Sequence, residues 1–395
     1  MNLEILIKAA QIANQLDKID PKEFVLKNPL KIDSDLLKLV VNQAIFNQTL
    51  AQKIPEWQDK NLLAPAKISL EQCSSQITAE YKSQKVNGRL GIDLTGGLGV
   101  DSYFFAKKFQ SFVHNEINQE LSKIVEYNYQ QLNIKNVKHS NSKAEELNFS
   151  EHVDFFYLDP ARRDAANRKM VSLKDCQPNL IEIKDKLLQN AKMVMVKYSP
   201  MLDIKDTIAL LQHVKEVIIL SEKNEVKELV FTLTNELCED PTISCVNLGS
   251  SQSEFSFKYT HENIIHLQFK EPRAYLYEPN ASIMKAGGFK SIAANFEIDK
   301  IAANSHLYSS ETLKNDFPGR IFKIENVINF DKKLLNKVIE TKKANVSTRN
   351  FPFSPDEIKK QLGLKDGGDK YLFFTENHNK KKIVLICSKI QNTLK

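Results

Sequence analysis

The chain has 395 residues, 42% hydrophobic and 26% charged, with 12 Gly and 13 Pro, an ordinary globular composition long enough for two to four domains. No stretch approaches 18 consecutive apolar residues, which excludes a transmembrane helix, and the mixed start MNLEILIKAAQIANQLDK reads as an amphipathic helix and not as a secretory signal. Cys73, Cys176, Cys238, Cys245 and Cys387 are scattered without CxxC spacing, and the eight histidines offer no metal-binding pair. A reduced, cytoplasmic protein without a metal site is expected. The net charge is +6, but residues 321–395 carry 16 Lys and Arg against 8 Asp and Glu, so the preceding 320 residues net −2. A basic module on a near-neutral body is what a polyanion partner would need, and a solvated Lys-rich surface gives the same count.

Residues 1 to about 85 read as helices. Leu3, Leu6, Ala9 or Ala10, Ala13 and Leu16 follow one face, Asp20-Pro21 and Asp33-Ser34 open two further helices, and Ser69–Gln84 reads as one last helix. The pattern then alternates. Strands are expected at Arg89–Thr95, Ser111–Ile117, Asn136–Asn141, Val153–Pro160, Ala191–Ser199, Val214–Ser221 and Val226–Thr234, with helices between most of them. That order predicts an α/β fold with a doubly wound, mostly parallel sheet, and the closely spaced later strands predict an antiparallel hairpin. After residue 270 a small mixed segment with a Gly287-Gly288 turn leads to a compact α+β tail: strand 322–327, helix 332–342, strand 345–349, helix 354–362 and a closing hairpin.

Two motifs carry chemistry. In GIDLTGGLGVDSYFFA a strand ends at Asp93 and a tight Thr95-Gly96-Gly97-Leu98-Gly99 loop opens a helix. Glycines let the backbone approach a ligand, but the spacing is not G-x-G-x-x-G, and a carboxylate before the loop would repel a phosphate. Asp93 suits an ammonium group, and Glu116, at the end of the second strand, suits the two hydroxyls of a ribose. An amino acid joined to a nucleoside without phosphate satisfies both, which is S-adenosylmethionine. In FFYLDPARRD an apolar strand delivers Asp159-Pro160 to the carboxyl edge of the sheet, where a target amine could be held, and Arg162 and Arg163 could meet phosphate or pair with Asp164 and Asp175.

These runs resemble the motifs of class I S-adenosylmethionine-dependent methyltransferases. The chain as a whole is similar to a bacterial family with a helical N-terminal region, this core and a THUMP-like C-terminal domain, through EQCSSQITAEYK, KYSPMLD, YEPNASIMKAGG and DGGDKYLFF. The resemblance implies a Rossmann-like sheet over residues 86–270, a helical domain 1–85, a small ferredoxin-like segment 271–320 and a THUMP-like domain 321–395. It implies that Asp93, Thr95, Gly96, Gly97 and Gly99 hold the methionine part of the cofactor, Glu116 the ribose, and Ile117 and Ser142 the adenine side.

Asp159, Pro160, Arg162 and Lys197 are the catalytic candidates, and Arg163, Arg349, Lys380, Lys381 and Lys382 the substrate-binding ones. Lys197 reads equally as a general base, a phosphate contact or a snorkelling strand-end lysine. Two departures stand out. Ser142-Lys143 occupies the place where many relatives carry an acid for the adenine amine, and Ala161-Arg162 replaces the proline and aromatic of base-amine enzymes. Pyrimidine C5 chemistry would need a thiolate, but Lys197-Tyr198-Ser199 offers none and Cys176 reads as buried and inert. Methyl transfer to a base nitrogen of tRNA or rRNA is the expected function, with a protein or small-molecule acceptor, or a non-catalytic RNA-binding scaffold, as alternatives.

Overall fold

The structure is a computed structural model, which describes residues 3–16, 20–58, 60–65, 67–149, 151–162, 173–339 and 342–390. It divides into two compact units, residues 1–215 with 229–239, and residues 216–228 with 240–395.

The first unit opens with helices α1 (Leu3–Ala13), α2 (Pro21–Lys27), α3 (Ser34–Lys53), α4 (Lys67–Gln72) and α5 (Gln76–Ser83). Their starts are written in the sequence: the Asp20 carboxylate accepts from the amides of Lys22 and Glu23, and that of Asp33 from Asp35 and Leu36. One expectation fails. The helix read over Ser69–Gln84 is two, because the chain leaves α4 after Gln72 and Ser75 adopts extended backbone (φ −76°, ψ 159°) to begin α5. Serine competes with helical hydrogen bonding and favours this cap position.

Strands β1 (Gly88–Asp93), β2 (Phe109–Asn115), β3 (Val137–Ser140), β4 (Val153–Leu158) and, after the short pair β5 (Ala161–Arg162) and β6 (Cys176–Gln177), β7 (Ala191–Tyr198) follow, interleaved with α6 (Val100–Ala106), α7 (Gln119–Gln131) and α8 (Leu180–Asn190). The pairings β3–β2, β2–β1, β1–β4 and β4–β7 are all parallel, as the alternation predicts. The carboxyl ends of β1, β2, β3, β4 and β7 therefore share one edge of the sheet. After α9 (Ile204–Leu211) the chain forms β8 (Val214–Glu222) and β9 (Glu225–Leu233), joined through Lys223 and Asn224, both with positive φ. The second half of β9 runs antiparallel to β7.

The helices of the first 85 residues share a core with this sheet domain. Phe46, Leu50, Trp57, Leu62, Leu70 and Ala79 form one buried cluster with Leu98, Val100, Tyr103, Phe104, Val125 and Tyr129 of the loop, α6 and α7. Trp57 meets Tyr103 edge to face with ring centroids 5.3 Å apart.

The second unit holds β10 (Thr242–Leu248), parallel to β8, and β11 (Phe255–Lys258), antiparallel to β10. Past α10 (His261–Ile264) come β12 (Tyr275–Pro279), α11 (Ala281–Ala286), α12 (Phe289–Phe296), β13 (Asp299–Lys300), β14 (Tyr308–Ser310), β15 (Gly319–Asn329), α13 (Lys332–Val338), β16 (Asn345–Arg349), α14 (Pro355–Leu362), β17 (Lys370–Glu376) and β18 (Lys382–Lys389). One sheet in the order β13-β14-β12-β15-β18-β17-β16 carries them. The helix expected over 332–342 ends at Val338, while α14 begins at the expected place with a capping box between Ser354 and Glu357. No described helix is long and apolar enough to cross a membrane.

Candidate functional site

A cavity of about 300 Å³ lies at the carboxyl edge of the parallel sheet, within the first unit. The loop Asp93–Gly99 forms one wall, and Glu116, Ile117, Ser142, Asp159, Ala161, Ser74 and Gln177 contribute to the others. The loop is fixed from beneath. The amide of Leu94 donates to the Tyr157 carbonyl (2.9 Å) and that of Gly96 to the Asn115 carbonyl (2.8 Å), so the turn is hung between the ends of β4 and β2. The Thr95 hydroxyl accepts from the Asp159 amide (2.6 Å), joining the two motifs that the sequence singled out.

The glycines have separate reasons. A Cβ on Gly96 would collide with the ring of His114, which is wholly buried behind the loop. Gly97 adopts φ +55°, and a Cβ there would have no neighbour within 4 Å except the Thr95 carbonyl at 3.8 Å, so the face of the loop at Gly97 is open. Gly99 combines φ +81° with contact to Tyr129, whose hydroxyl donates to the Gly99 carbonyl (2.6 Å).

Asp93 is buried, with one oxygen accepting from the Thr95 amide (2.9 Å) and the other from the Ser102 hydroxyl (2.6 Å). Burial pushes its carboxyl up to about 7, against the pull of those donors. Glu116 accepts from the Gly97 amide (2.8 Å) and the Asn118 amide (2.8 Å), bracing the loop from the neighbouring strand. Ile117 is 57% exposed beside it, an apolar side chain held out at the cavity wall. The amide and carbonyl of Ser142 are both taken by the Asn115 side chain (3.1 and 2.9 Å). Proximity of Asp93, Thr95, Gly96, Gly97, Gly99, Glu116, Ile117, Ser142 and Asp159 around one cavity is thus a feature of the fold.

Lys197 is not a snorkelling lysine. It is 7% exposed, its ammonium lies 2.7 Å from Asp159 and 3.8 Å from Asp101, and it donates to the Ser74 hydroxyl (3.2 Å). Below it, the fully buried Lys82 sits 2.9 Å from the other Asp101 oxygen and 2.9 Å from Ser74. Ser74 and Tyr157 both donate to Asp101 at 2.7 Å. Burial by itself would push the Asp101 carboxyl up, but Lys82 and Lys197 together bring it down to about 2. For Asp159 the balance is the reverse: burial raises its carboxyl and Lys197 offsets only part of that.

Sequence reasoning missed Ser74, Lys82, Asp101 and Tyr157. Asp101 closes the quoted run GIDLTGGLGVD, and Ser74 and Lys82 lie in EQCSSQITAEYK, so the motifs contained them without revealing that they meet.

Other candidates fall elsewhere. Pro160 is buried next to Asp159, and Cys176 is buried in β6, paired by backbone with Arg162. Arg163 lies outside the described residues. In the second unit Arg349 is bound to the buried Glu278 (2.8 Å), which also holds Arg320. Its guanidinium is a framework contact first, and at 37% side-chain exposure it remains half accessible. Lys380, Lys381 and Lys382 are exposed at the β17–β18 turn. Among the described residues no His, Cys, Asp and Glu group could hold a metal ion.

Comparison with known proteins identifies two C-terminal domains and a full-length relative. Residues 275–318 match a ferredoxin-like domain family and residues 319–389 a THUMP domain-like family. No curated protein matches the chain. A crystal structure of a candidate methyltransferase from Porphyromonas gingivalis W83 is 32% identical, with TM-score 0.89 over 99% of each chain. Two more distant structures share part of the chain. A candidate methyltransferase from Streptococcus mutans, solved with S-adenosylhomocysteine, is 17% identical with TM-score 0.31 over 40% of this chain and 95% of that one. TrmK from M. capricolum, also solved with S-adenosylhomocysteine, is 11% identical with TM-score 0.32 over 40% and 68%. With a full-length relative at this identity and the THUMP-like match in its tail, the chain belongs to the class I S-adenosylmethionine-dependent methyltransferase family that carries a helical N-terminal region and a THUMP-like C-terminal domain.

Proposed function

We propose that this protein transfers the methyl group of S-adenosylmethionine to a base nitrogen of tRNA or rRNA. The observation that carries the reading is the cavity itself, where an open glycine loop, the carboxylates of Asp93, Glu116 and Asp159 among others, and the half-exposed Ile117 meet.

The residues fit the cofactor. The open face at Gly97 gives room for backbone contact, Asp93 suits an ammonium, and Glu116 suits a diol. Asp93, Thr95, Gly96, Gly97 and Gly99 would hold the amino-acid part, Glu116 the ribose, and Ile117 and Ser142 the base. Bound there, the cofactor supplies an electrophilic methyl on a sulfonium. The protein's task is then mainly alignment, with Asp159 and Pro160 facing the acceptor and Arg162 beside them. Asp159 is suited to accept a hydrogen bond from the target nitrogen, because its backbone is pinned to Thr95 and its carboxylate to Lys197.

The RNA acceptor is supported by the THUMP-like match and the +8 charge of residues 321–395. Lys380, Lys381 and Lys382 present an exposed basic turn able to contact phosphates, and Arg349 and Arg163 are further candidates. The test is tritium transfer from labelled S-adenosylmethionine into size-fractionated RNA of a strain lacking the gene, with parent RNA as the methylated control. Label in the deletion RNA alone supports the reading and identifies the RNA to map. No label in either RNA overturns it, and the same assay on cell protein then separates a protein acceptor from a scaffold.

A further inference from the structure

We infer that Lys197, anchored by Ser74 and Asp101 with Lys82 behind them, is a positioning residue that favours the ionised Asp159 carboxylate and holds it at the cavity wall, where it receives the proton released by the acceptor. This rests on the methyl-transfer reading above and deepens it.

Lys82, Asp101 and Lys197 are buried to nine-tenths or more, and buried charges persist only when paired. Two ammonium groups and two carboxylates alternate as Lys82, Asp101, Lys197, Asp159, with separations of 2.9, 3.8 and 2.7 Å. Ser74 joins them, touching both lysines and donating to Asp101. The row runs from the buried end, where Lys82 is fully enclosed, to the exposed end, where the Asp159 side chain is 38% accessible. Asp159 lines the cavity, whereas Lys197 does not, so Lys197 acts through Asp159.

An ion pair needed for stability alone would not require this gradient. Asp101 already balances Lys82, and the surplus ammonium of Lys197 is left to Asp159. Methyl transfer to an N–H nitrogen forms a C–N bond, breaks the C–S bond and releases one proton. A carboxylate at the cavity wall can take that proton and pass it to solvent, while Asp101 continues to balance Lys197. Among the described residues, charged and titratable groups of several elements surround Asp159, and Cys73 joins them on the cavity wall. They include Lys197 on β7, Asp101 on α6, Lys82 on α5, Asp93 on β1 and Tyr157 on β4, with Glu116, Lys143 and Glu145 on the cavity wall.

The experiment uses the full chain with selectively labelled aspartate carboxyls, followed by carbon-13 NMR against pH. The Asp159 signal is identified by its loss in Asp159→Asn. In Lys197→Met the Asp159 midpoint should rise by about one pH unit or more, and Lys197→Arg should restore it. The acid limb of the methyl-transfer rate should move with it, while S-adenosylhomocysteine affinity stays within about twofold. Lys197→Gln, which keeps a hydrogen-bond donor but loses the charge, replaces the methionine variant if that fails to fold. An Asp159 midpoint unmoved by loss of the ammonium overturns the inference. If the midpoint moves but the wild-type protein methylates no nitrogen acceptor, the reading of the function fails and the positioning by Lys197 stands.

Discussion

Replacing Lys82 with methionine removes a buried ammonium and leaves the side-chain volume nearly unchanged. Asp101 then loses the partner at 2.9 Å but keeps Lys197 at 3.8 Å and the hydroxyls of Ser74 and Tyr157. Breaking a buried ion pair costs about 3–5 kcal/mol, and the remaining partners place this case at the low end, about 3 kcal/mol. An independent figure comes from the carboxyl itself. Held at about 2 against an ordinary 3.8, it contributes roughly 2 kcal/mol of stability. The sign follows from the depressed value: the contribution is complete above about pH 4 and disappears as pH falls toward about 2. In Lys82→Met burial dominates, the carboxyl titrates higher, and the variant's deficit should shrink as the solution is acidified below neutrality. Urea unfolding followed by fluorescence of Trp57, the single tryptophan and a member of the same unit's core, measures this. The double variant Lys82→Met, Asp101→Asn should recover much of the loss. A deficit below about 1 kcal/mol at pH 7, or one unaltered by Asp101→Asn, would refute the reasoning.

The loop, the cofactor pocket and the tail can be probed in similar ways. Gly96→Ala should destabilise the first unit by about 1–3 kcal/mol through collision with His114 and abolish S-adenosylhomocysteine binding, read by thermal melting and calorimetry. Gly97→Ala, strained only by its φ of +55°, should cost nearer to about 1 kcal/mol, and equal losses in the two variants would contradict this assignment. Because burial lifts the Asp93 carboxyl to about 7, it is protonated below that pH and cannot balance a ligand's ammonium. Calorimetry should therefore show S-adenosylhomocysteine affinity falling from pH 8 to pH 6 by up to about tenfold, and a flat profile would exclude Asp93 as the partner. Replacing Lys380, Lys381 and Lys382 by glutamate should weaken RNA binding and flatten its salt dependence by about 0.7 for each phosphate no longer neutralised. Unchanged affinity and slope would remove the β17–β18 turn from the RNA surface.

What could be read in advance was whatever depends on local pattern. Alternating strands and helices define the parallel sheet, and a strand ending in Asp93 before three glycines marks its ligand edge. The capping aspartates, Asp20 and Asp33, are where short polar side chains next to apolar periodicity belong. The break after Gln72 was hidden because Ser74-Ser75 is only a weak local signal within 69–84, and the hydrogen bonds of Ser74 to Asp101 and Lys82, which hold the chain where it departs, appear only in the fold. Lys82 was hidden for a related reason. A lysine on an amphipathic helix ordinarily faces water, and only a carboxylate from a different element can make its burial tolerable. Arg349 illustrates the reverse, since a basic residue in a basic tail looks free until Glu278 is found beside it.

The shared floor of the cavity also sets an order for its assembly. Ser74 and Lys82 are 8 residues apart and Ser74 and Asp101 are 27 apart, so these contacts can form early as the chain leaves the ribosome. Lys197 reaches Ser74 only across 123 residues. Until β7 is made, Lys82 is the one lysine of this row available to Asp101. The last lysine and the carboxylate it holds arrive as a matched pair, after β4 and β7 align. The cavity wall itself ends at Pro178, so what β7 adds is the partner of Asp159 and not the wall, and a cofactor can stabilise only a chain that has folded that wall.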